Sequence, residues 1–260
     1  MKSMQSTQKK LWCLFIVCIC SSQAFSQPSL FSFNKFTNDK GDTLNYRLLY
    51  PDANPLQKYP LVIFLHGSGE RGNDNDAQLK WGVPNFATAA NMSLHPAIVI
   101  APQCPLNMSW ANLSNSKNPA ETRLQPTPTK PMELVIALIH QVIKTLPVDS
   151  NRIYITGLSS GGHGTYEAIE RYPRMFAAAV PVCGEGDASR AASIAHIPIW
   201  IFHGSEDSGV NPMYSLDMIT ALAKAGSHAG LTFYPGVGHF AWLAAYSDPL
   251  MLEWLFRQHR

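Results

Sequence analysis

The stretch Arg152-Ile-Tyr-Ile-Thr-Gly-Leu-Ser-Ser-Gly-Gly-His-Gly-Thr-Tyr166 decides the fold of this chain. Its apolar run over 153–156 predicts a short buried strand, and the helix predicted behind it extends to about Tyr172. Between the two, Gly157-Leu-Ser-Ser-Gly161 matches the pattern G-x-S-x-G. This pattern places a serine on a sharp strand-to-helix turn with its hydroxyl exposed. The spacing of the glycines therefore selects Ser159 as a candidate nucleophile.

Two stretches of backbone are expected to stabilise negative charge near Ser159. The helix behind the serine directs N–H groups and the positive end of its dipole toward this space, and Ser160 is expected to donate its backbone N–H. A glycine-rich loop, His66-Gly-Ser-Gly-Glu-Arg-Gly72, follows another apolar strand. Ligands of parallel sheets bind at such strand ends. We expect the second donor to be the backbone N–H of Ser68 or Gly69.

Composition restricts the class of protein. The chain has 260 residues, of which 46% are hydrophobic and 15% are charged, so it can bury one large core as a single domain. The formal net charge is +2 and no basic run occurs, so no nucleic-acid partner is predicted. Neither H-E-x-x-H nor C-x-x-C is present, so the sequence predicts no metal site.

The first residues are typical of an export signal. Lys2, Lys9 and Lys10 precede a short apolar run over 11–20, and Ala24-Phe-Ser26 has the small-x-small form of a cleavage site. We predict a signal peptide over 1–26 and one domain over 27–260, with cleavage after Ala24 as the alternative. The apolar run is too short to span a bilayer. The mature chain is therefore expected to be secreted or periplasmic, without a membrane association.

Removal of the signal peptide would leave two cysteines, Cys104 and Cys183. Two cysteines in an exported protein suggest one disulfide between them, and two separate buried thiols are the alternative.

The pattern of predicted elements indicates an α/β protein. Residues 31–50 alternate apolar and polar side chains around the turn Asn38–Asp42, which predicts an N-terminal antiparallel hairpin. From residue 61 onward strands alternate with helices, as in a mostly parallel central sheet flanked by helices. The predicted strands are 61–65, 95–101, 153–156, 176–182, 197–203 and 230–235. The other predicted helices are 76–94 with its connection, 132–146, 212–225 and 249–258.

One long connection interrupts this alternation. Residues 111–130 are rich in Asn, Ser, Pro and Thr and are predicted to be irregular. Such a long loop is often functional, and we interpret it as the rim of a binding cleft.

Three predicted loops past strand ends carry Ser159, Asp207 and His239, in the chain order serine, acid, histidine. An imidazole can take the proton of a serine hydroxyl, and a carboxylate on the other ring nitrogen orients the ring. The three residues are therefore candidates for a catalytic triad. Glu206 and Asp187 remain alternatives for the acid.

Three further side chains are candidates for contact with a substrate. His163 is predicted one helical turn after Ser159, and Trp110, His163 and Trp242 are expected to line the cleft. Packing in the core is the alternative for each aromatic ring.

The chain resembles the α/β-hydrolase superfamily. It is similar to the bacterial carboxylesterases and phospholipase-like proteins of the dienelactone hydrolase and prolyl oligopeptidase group that carry a His-Gly-x-Gly-Glu-Arg-Gly loop. The matching stretches are His66–Gly72, Ala101–Pro105 with Trp110, Gly157–Gly162, Pro181–Gly184 with Asp187, His203–Gly204 with Asp207, Gly238–His239 with Trp242, and Trp254–Phe256. The resemblance implies an α/β-hydrolase fold, a triad of Ser159, Asp207 and His239, and no cofactor. Phe240 departs from it, because relatives often have a polar residue after the histidine.

These expectations describe a secreted serine carboxylic ester hydrolase that works through an acyl-enzyme. Its substrate would be a small-molecule or polysaccharide-linked ester, such as an acetyl or feruloyl ester. A serine peptidase acting on short peptides is the alternative enzyme, and a non-catalytic binding module on the same fold is the alternative from a different class.

Overall fold

A computed structural model of the protein describes residues 30–51, 56–114 and 118–260. The predicted signal peptide lies outside these residues. The described residues contain one eight-stranded sheet in the order β1-β2-β4-β3-β5-β6-β7-β8. The strands are β1 Phe31–Thr37, β2 Thr43–Leu49, β3 Tyr59–Leu65, β4 Ile98–Pro102, β5 Val148–Leu158, β6 Ala178–Val182, β7 Trp200–Gly204 and β8 Gly230–Tyr234.

The sheet is parallel from β4 to β8 and antiparallel at its first edge. Strands β1 and β2 pair as a hairpin with Phe31 opposite Leu49, and β2 then pairs antiparallel with β4. The remaining neighbours, β4-β3-β5-β6-β7-β8, all run parallel. The predicted fold class, a mostly parallel sheet with an N-terminal antiparallel hairpin, is confirmed.

Strand β3 is apolar throughout because both faces of the sheet are covered. All seven of its residues are buried. Leu61, Ile63 and Leu65 face one hydrophobic cluster, whereas Val62 and Phe64 face a second cluster. Side chains alternate across a strand, so the two clusters lie on opposite faces of the sheet. This explains the uninterrupted apolar pattern in the sequence.

Seven α-helices cover the two faces among the described residues. They are α1 Ala89–Leu94, α2 Lys130–Thr145, α3 Ser160–Arg171, α4 Ala191–Ile194, α5 Met213–Lys224, α6 Trp242–Ala245 and α7 Pro249–Phe256. Helices α2 to α5 bury side chains in the first cluster, and α6 and α7 in the second. The N-terminus of α2 is capped by Thr129, whose side chain accepts a hydrogen bond from the amide of Met132, and Asp248 caps α7 in the same way.

The segment predicted as one helix with its connection, 76–94, is broken into three short pieces. Two 3-10 turns, Ala77–Leu79 and Val83–Ala87, precede the six-residue helix α1. Gly82 separates the turns with φ 72°, in the left-handed region, and Pro84 follows it. The apolar residues still pack on the second cluster, so the burial agrees with the sequence although the helix length does not.

No helix in the described part of the chain has both the length and the apolar character needed to cross a membrane.

Candidate active site

Ser159 occupies a sharp turn between β5 and α3. It has φ 53° and ψ −117°, a conformation that is strained for any residue except glycine. The glycines on either side are needed for space. A Cβ on Gly157 would lie 2.4 Å from the carbonyl oxygen of Gly161, and one on Gly161 would lie 1.9 Å from that of Leu65. The turn therefore has the form that the glycine spacing predicts.

The structure brings the three predicted residues together. His239 Nδ1 lies 2.8 Å from Asp207 Oδ2, and its Nε2 lies 2.9 Å from Ser159 Oγ. A neutral imidazole has one N–H, so these distances fit an Nδ1–H that donates to the carboxylate and an Nε2 that accepts from the serine hydroxyl. The side chain of His239 is 25% exposed, whereas that of Asp207 is fully buried. His239 is thus accessible from solvent, whereas Asp207 is not.

Four hydrogen-bond donors hold Asp207 in its ionised form. The amides of Gly209 and Val210 donate to Oδ1 at 2.8 and 2.9 Å. Burial alone would raise the pKa of Asp207, but the hydrogen bonds from His203, His239 and these two amides outweigh it and hold the pKa well below its usual range. A carboxylate that stays ionised can stabilise a positive charge on the neighbouring imidazole.

The two alternative acids do not contact the histidine. Glu206 is exposed to solvent. Asp187 is buried in the loop after β6, where it accepts hydrogen bonds from Ser189 and from the amide of Leu124. Asp207 is the carboxylate that the geometry favours.

His203 contacts the carboxylate of Asp207. Its Nε2 lies 3.1 Å from the carbonyl oxygen of Val210 and 3.2 Å from Asp207 Oδ2, while its Nδ1 lies 2.7 Å from Ser215 Oγ. It is fully buried, so it orients the loop rather than reaching solvent or a substrate.

The loop after β3 and the start of α3 offer free backbone donors. Ser68–Glu70 form a 3-10 turn, and Gly67 packs so closely on Leu158 that a Cβ there would lie 2.8 Å from the leucine Cδ1. In the described part of the chain, no acceptor takes the amide hydrogens of Ser68, Gly69 or Ser160. These are the donors predicted for an oxyanion hole, and they remain candidates for that role.

The contact between Arg71 and Ser160 is a feature of this site that sequence reasoning missed. Its guanidinium Nη2 donates to Ser160 Oγ at 3.3 Å, directly beside the nucleophile. The short sequence Gly-Glu-Arg-Gly contains no signal for this contact, because Ser160 lies 89 residues away.

The predicted disulfide between Cys104 and Cys183 is wrong, since both are free and buried. They follow β4 and β6, which are separated by β3 and β5. Three steps of about 4.8 Å give a separation of about 14 Å, twice the distance that a disulfide spans. Each thiol also belongs to a different hydrophobic cluster. Burial raises the pKa of Cys104 to about 11 and that of Cys183 to about 12, so both thiols are protonated at neutral pH.

Of the three candidate substrate contacts, Trp110 is wrong. It is completely buried, and its indole N–H donates to the carbonyl oxygen of His66 at 3.0 Å. His163 is partly buried and accepts a hydrogen bond from the amide of Glu185 at 2.7 Å, and burial lowers its pKa to about 4. Trp242 packs its ring against that of His239, with centroids 5.0 Å apart. For His163 and Trp242, contact with a substrate stays a prediction.

The long connection before α2 is anchored to α3 and to the loop after β6. The amide of Asn112 donates to the buried carboxylate of Glu167. The amide of Leu124 donates to Asp187 at 3.0 Å, and Thr122 donates to Glu185 at 2.7 Å. This segment, predicted as a loop, also contains an isolated β-bridge and a 3-10 turn at Pro119–Glu121. We call the segment 111–129 the rim.

One group of side chains among the described residues has the composition of a metal site. Ligand atoms of Cys183, His203 and Asp207 lie within 4.8 Å of one another. Their chemistry does not fit an ion, because the thiol is protonated and both ring nitrogens of His203 already have hydrogen-bond partners. Asp207 likewise has a donor on each oxygen.

The pH dependence of stability tests whether His66, which precedes the candidate oxyanion donors, is neutral in the folded protein. His66 Nε2 accepts from the amide of Cys104 at 2.9 Å, and Nδ1 lies 2.6 Å from the carbonyl oxygen of Gly67. Burial lowers the pKa of His66 from 6.5 to about 4. Between these values the unfolded chain binds the proton and the folded chain does not, so the free energy of unfolding falls as the pH falls. We expect His66 to contribute a loss of about 2 kcal/mol between pH 7.5 and pH 5.

Urea unfolding of the parent and His66→Asn at both pH values measures this loss. The variant should be less stable at pH 7.5 but should lose about 2 kcal/mol less on acidification. Equal losses in the two proteins would contradict the assignment.

Comparisons with known proteins show what this chain is similar to. A family model described as phospholipase/carboxylesterase matches residues 53–247, three quarters of the chain. A bifunctional acetylxylan esterase/xylanase of Neocallimastix patriciarum is 25% identical over 163 residues, which cover 63% of this chain and 21% of that protein. A solved structure described as a thermostable esterase is 41% identical with a TM-score of 0.83, covering 89% of this chain and 64% of that chain.

A solved ferulic acid esterase has a TM-score of 0.65 at 17% identity, covers 87% of this chain and 98% of that one, and shows a shared fold. The chain thus spans about a fifth of the curated relative and less than two thirds of the more similar solved structure.

Proposed function

Because this chain belongs to the phospholipase/carboxylesterase family, we propose that it is a serine ester hydrolase with Ser159, His239 and Asp207 as its catalytic triad. The observation that carries the proposal is the position of His239, whose ring nitrogens lie 2.8 Å from the acid and 2.9 Å from the serine. That geometry matches what a nucleophilic serine needs from a general base and from an orienting carboxylate.

The reaction follows from the roles of the three groups. Ser159 attacks the ester carbonyl while His239 Nε2 takes the hydroxyl proton and then gives it to the departing alcohol. Asp207 keeps the Nδ1–H directed away from the serine and stabilises the imidazolium. Water then releases the acyl group from Ser159 by the same route.

The negative charge on the attacked carbonyl needs donors in place before the reaction. We assign this role to the backbone N–H of Ser160 with that of Ser68 or Gly69. Their hydrogens have no acceptor among the described residues, which supports the assignment. Each donor of this kind typically contributes about 3–4 kcal/mol to lowering the barrier.

The proposed substrates are esters on small molecules or on polysaccharides, including acetyl and feruloyl esters. The support is the name of the acetylxylan esterase/xylanase relative and that of the ferulic acid esterase with the same fold. We also propose that residues 1–26 are a cleaved signal peptide and that the protein acts outside the cytoplasm. The mass of the exported chain tests this, since it should begin at Gln27, and retention of residues 1–26 would contradict it.

Hydrolysis assays on the purified domain test the proposed activity. We expect hydrolysis of p-nitrophenyl acetate and covalent labelling by a fluorophosphonate, both abolished by boiling. Failure of both would remove the serine hydrolase assignment. Faster cleavage of aminoacyl-nitroanilides than of matched esters would instead favour the peptidase alternative.

A further inference from the structure

Three aromatic side chains form one contiguous cluster beside the candidate histidine. The ring centroids of Phe240 and Trp242 are 4.7 Å apart, and Trp81 lies 6.2 Å from Phe240 and 6.4 Å from Trp242. We call Trp81, Phe240 and Trp242 the aromatic platform. It joins two parts of the chain that are about 160 residues apart in sequence.

The platform is attached to both sides of the candidate site. Trp242 packs edge to face on His239 at 5.0 Å. At the other end Trp81 lies beside Glu70 of the loop that carries the candidate oxyanion donors. Burial raises the pKa of the Glu70 carboxyl, and the hydrogen bond from Trp81 opposes that rise. The platform therefore extends from the oxyanion loop to the histidine.

The exposure of Phe240 points to a ligand, whereas Trp81 is partly buried and Trp242 is only 5% exposed. Phe240 is 56% exposed, although it immediately follows the histidine and packs on two other rings. The indole N–H of Trp242 is buried and has no acceptor among the described residues. An exposed apolar ring that packs on two others beside a reactive centre is unfavourable in water and is typical of a binding surface. The unpaired buried donor of Trp242 is a second unfavourable feature of the same cluster.

The position of the platform determines which half of an ester it would contact. In the reaction proposed above, His239 gives its proton to the oxygen of the departing alcohol, so the alcohol must lie next to His239. The platform adjoins His239 on one side. A ring on this alcohol would thus lie on the aromatic platform, while the acyl group points toward Ser159.

The chemistry of the platform fits a sugar ring. A pyranose has an apolar face of C–H groups and a rim of hydroxyl groups. The platform offers the exposed ring of Phe240 and the partly exposed ring of Trp81, with buried Trp242 behind them. Its border includes the ammonium group of Lys80, 5.0 Å from the ring centroid of Trp81.

We propose that the aromatic platform is a subsite for the sugar of an ester whose alcohol is a pyranose hydroxyl. This inference rests on the proposed ester hydrolysis and names its alcohol. The acyl group would be small, and the sugar would be part of a saccharide chain.

Two acetate esters separate binding of the sugar from the reaction itself. Ethyl acetate has an alcohol too short to reach the platform, whereas an acetylated xylo-oligosaccharide has a sugar at that place. We expect Trp81→Ala and Phe240→Ala each to lower the ratio of kcat/KM for the oligosaccharide over that for ethyl acetate by about tenfold, mainly through KM. Phe240→Tyr should retain most of the ratio because it keeps the ring.

A matched control is Leu250→Ala, which removes an exposed apolar side chain (62% exposed) in the first turn of α7. It should leave the ratio unchanged. Fluorophosphonate labelling counts the active sites of every variant, so a misfolded fraction is corrected for.

The possible outcomes distinguish the two proposals. If both esters lose activity equally in the platform variants, or neither does, the sugar subsite is wrong while the hydrolase stands. If octyl acetate loses as much as the oligosaccharide, the platform binds apolar alcohols generally and the sugar assignment is wrong. If the parent protein hydrolyses no ester and is not labelled, the proposed function itself fails, and the subsite with it.

Discussion

Ser159→Ala should lower kcat for p-nitrophenyl acetate by on the order of 10⁶-fold and abolish fluorophosphonate labelling. The reason is that the hydroxyl 2.9 Å from His239 Nε2 is the proposed nucleophile, and alanine cannot form the acyl-enzyme. The rest of the site should remain in place, because alanine occupies less space than serine and adopts the same backbone conformation. Circular dichroism and the melting temperature verify that the fold is intact.

Ser160→Ala is the matched control for this prediction. Its side chain accepts a hydrogen bond from Arg71, but its proposed contribution to the reaction is the backbone N–H, which alanine retains. We expect a loss of no more than about tenfold in kcat. If Ser160→Ala is the inactive variant and Ser159→Ala retains labelling, the nucleophile has been assigned to the wrong serine.

Gly161→Ala should destabilise the folded state by about 3–5 kcal/mol and lower Tm by about 10 °C or more. An added Cβ would lie 1.9 Å from the carbonyl oxygen of Leu65 and 2.8 Å from that of His66. Both are backbone atoms at the end of β3, so no side-chain rotation can relieve the overlap. The start of α3 would have to move away from the sheet, which also displaces Ser159. Urea unfolding and residual activity at 25 °C measure the two effects.

Gly69→Ala separates this steric effect from the general effect of replacing a glycine. No atom lies within 4 Å of a Cβ added at Gly69, and its φ is not in the left-handed region. Its free energy of unfolding should therefore stay within about 0.5–1 kcal/mol of the parent value. Equal destabilisation by the two substitutions would show that close packing of the turn on β3 is not the cause.

The central sheet is the part of the fold that the sequence predicts best. Leu61–Leu65 is apolar at every position, and a short run of this kind is typical of a strand that is covered on both faces. Residues 76–94 were harder to predict. Their apolar residues have helical spacing and are buried, but the segment does not form one continuous helix. Gly82 is constrained by Phe64 and Tyr246, whose rings would lie 2.7 and 2.6 Å from an added Cβ. Such long-range packing is not visible in a local pattern.

The difference between local sequence pattern and long-range packing also applies to the site. Ser159, Asp207 and His239 are predictable because parallel strands bring their following loops to one edge of the sheet. The contact of Arg71 with Ser160 and the meeting of Trp81 with Phe240 depend on the relative placement of distant loops. The disulfide was wrong and its alternative, two separate thiols, was right for a related reason, since counting two cysteines does not give the order of the strands that they follow or the face of the sheet that they occupy.

Helix α3 has a consequence for how this protein can change over evolution. Its N-terminus carries the candidate nucleophile, and two to three turns later Glu167 and Arg171 bind the rim through the amide of Asn112 and the carbonyl oxygen of Gln125. The serine and the rim are thus attached to the same helix while they lie on separate segments. Positions of the rim that do not contact α3 can therefore change in sequence without displacing Ser159.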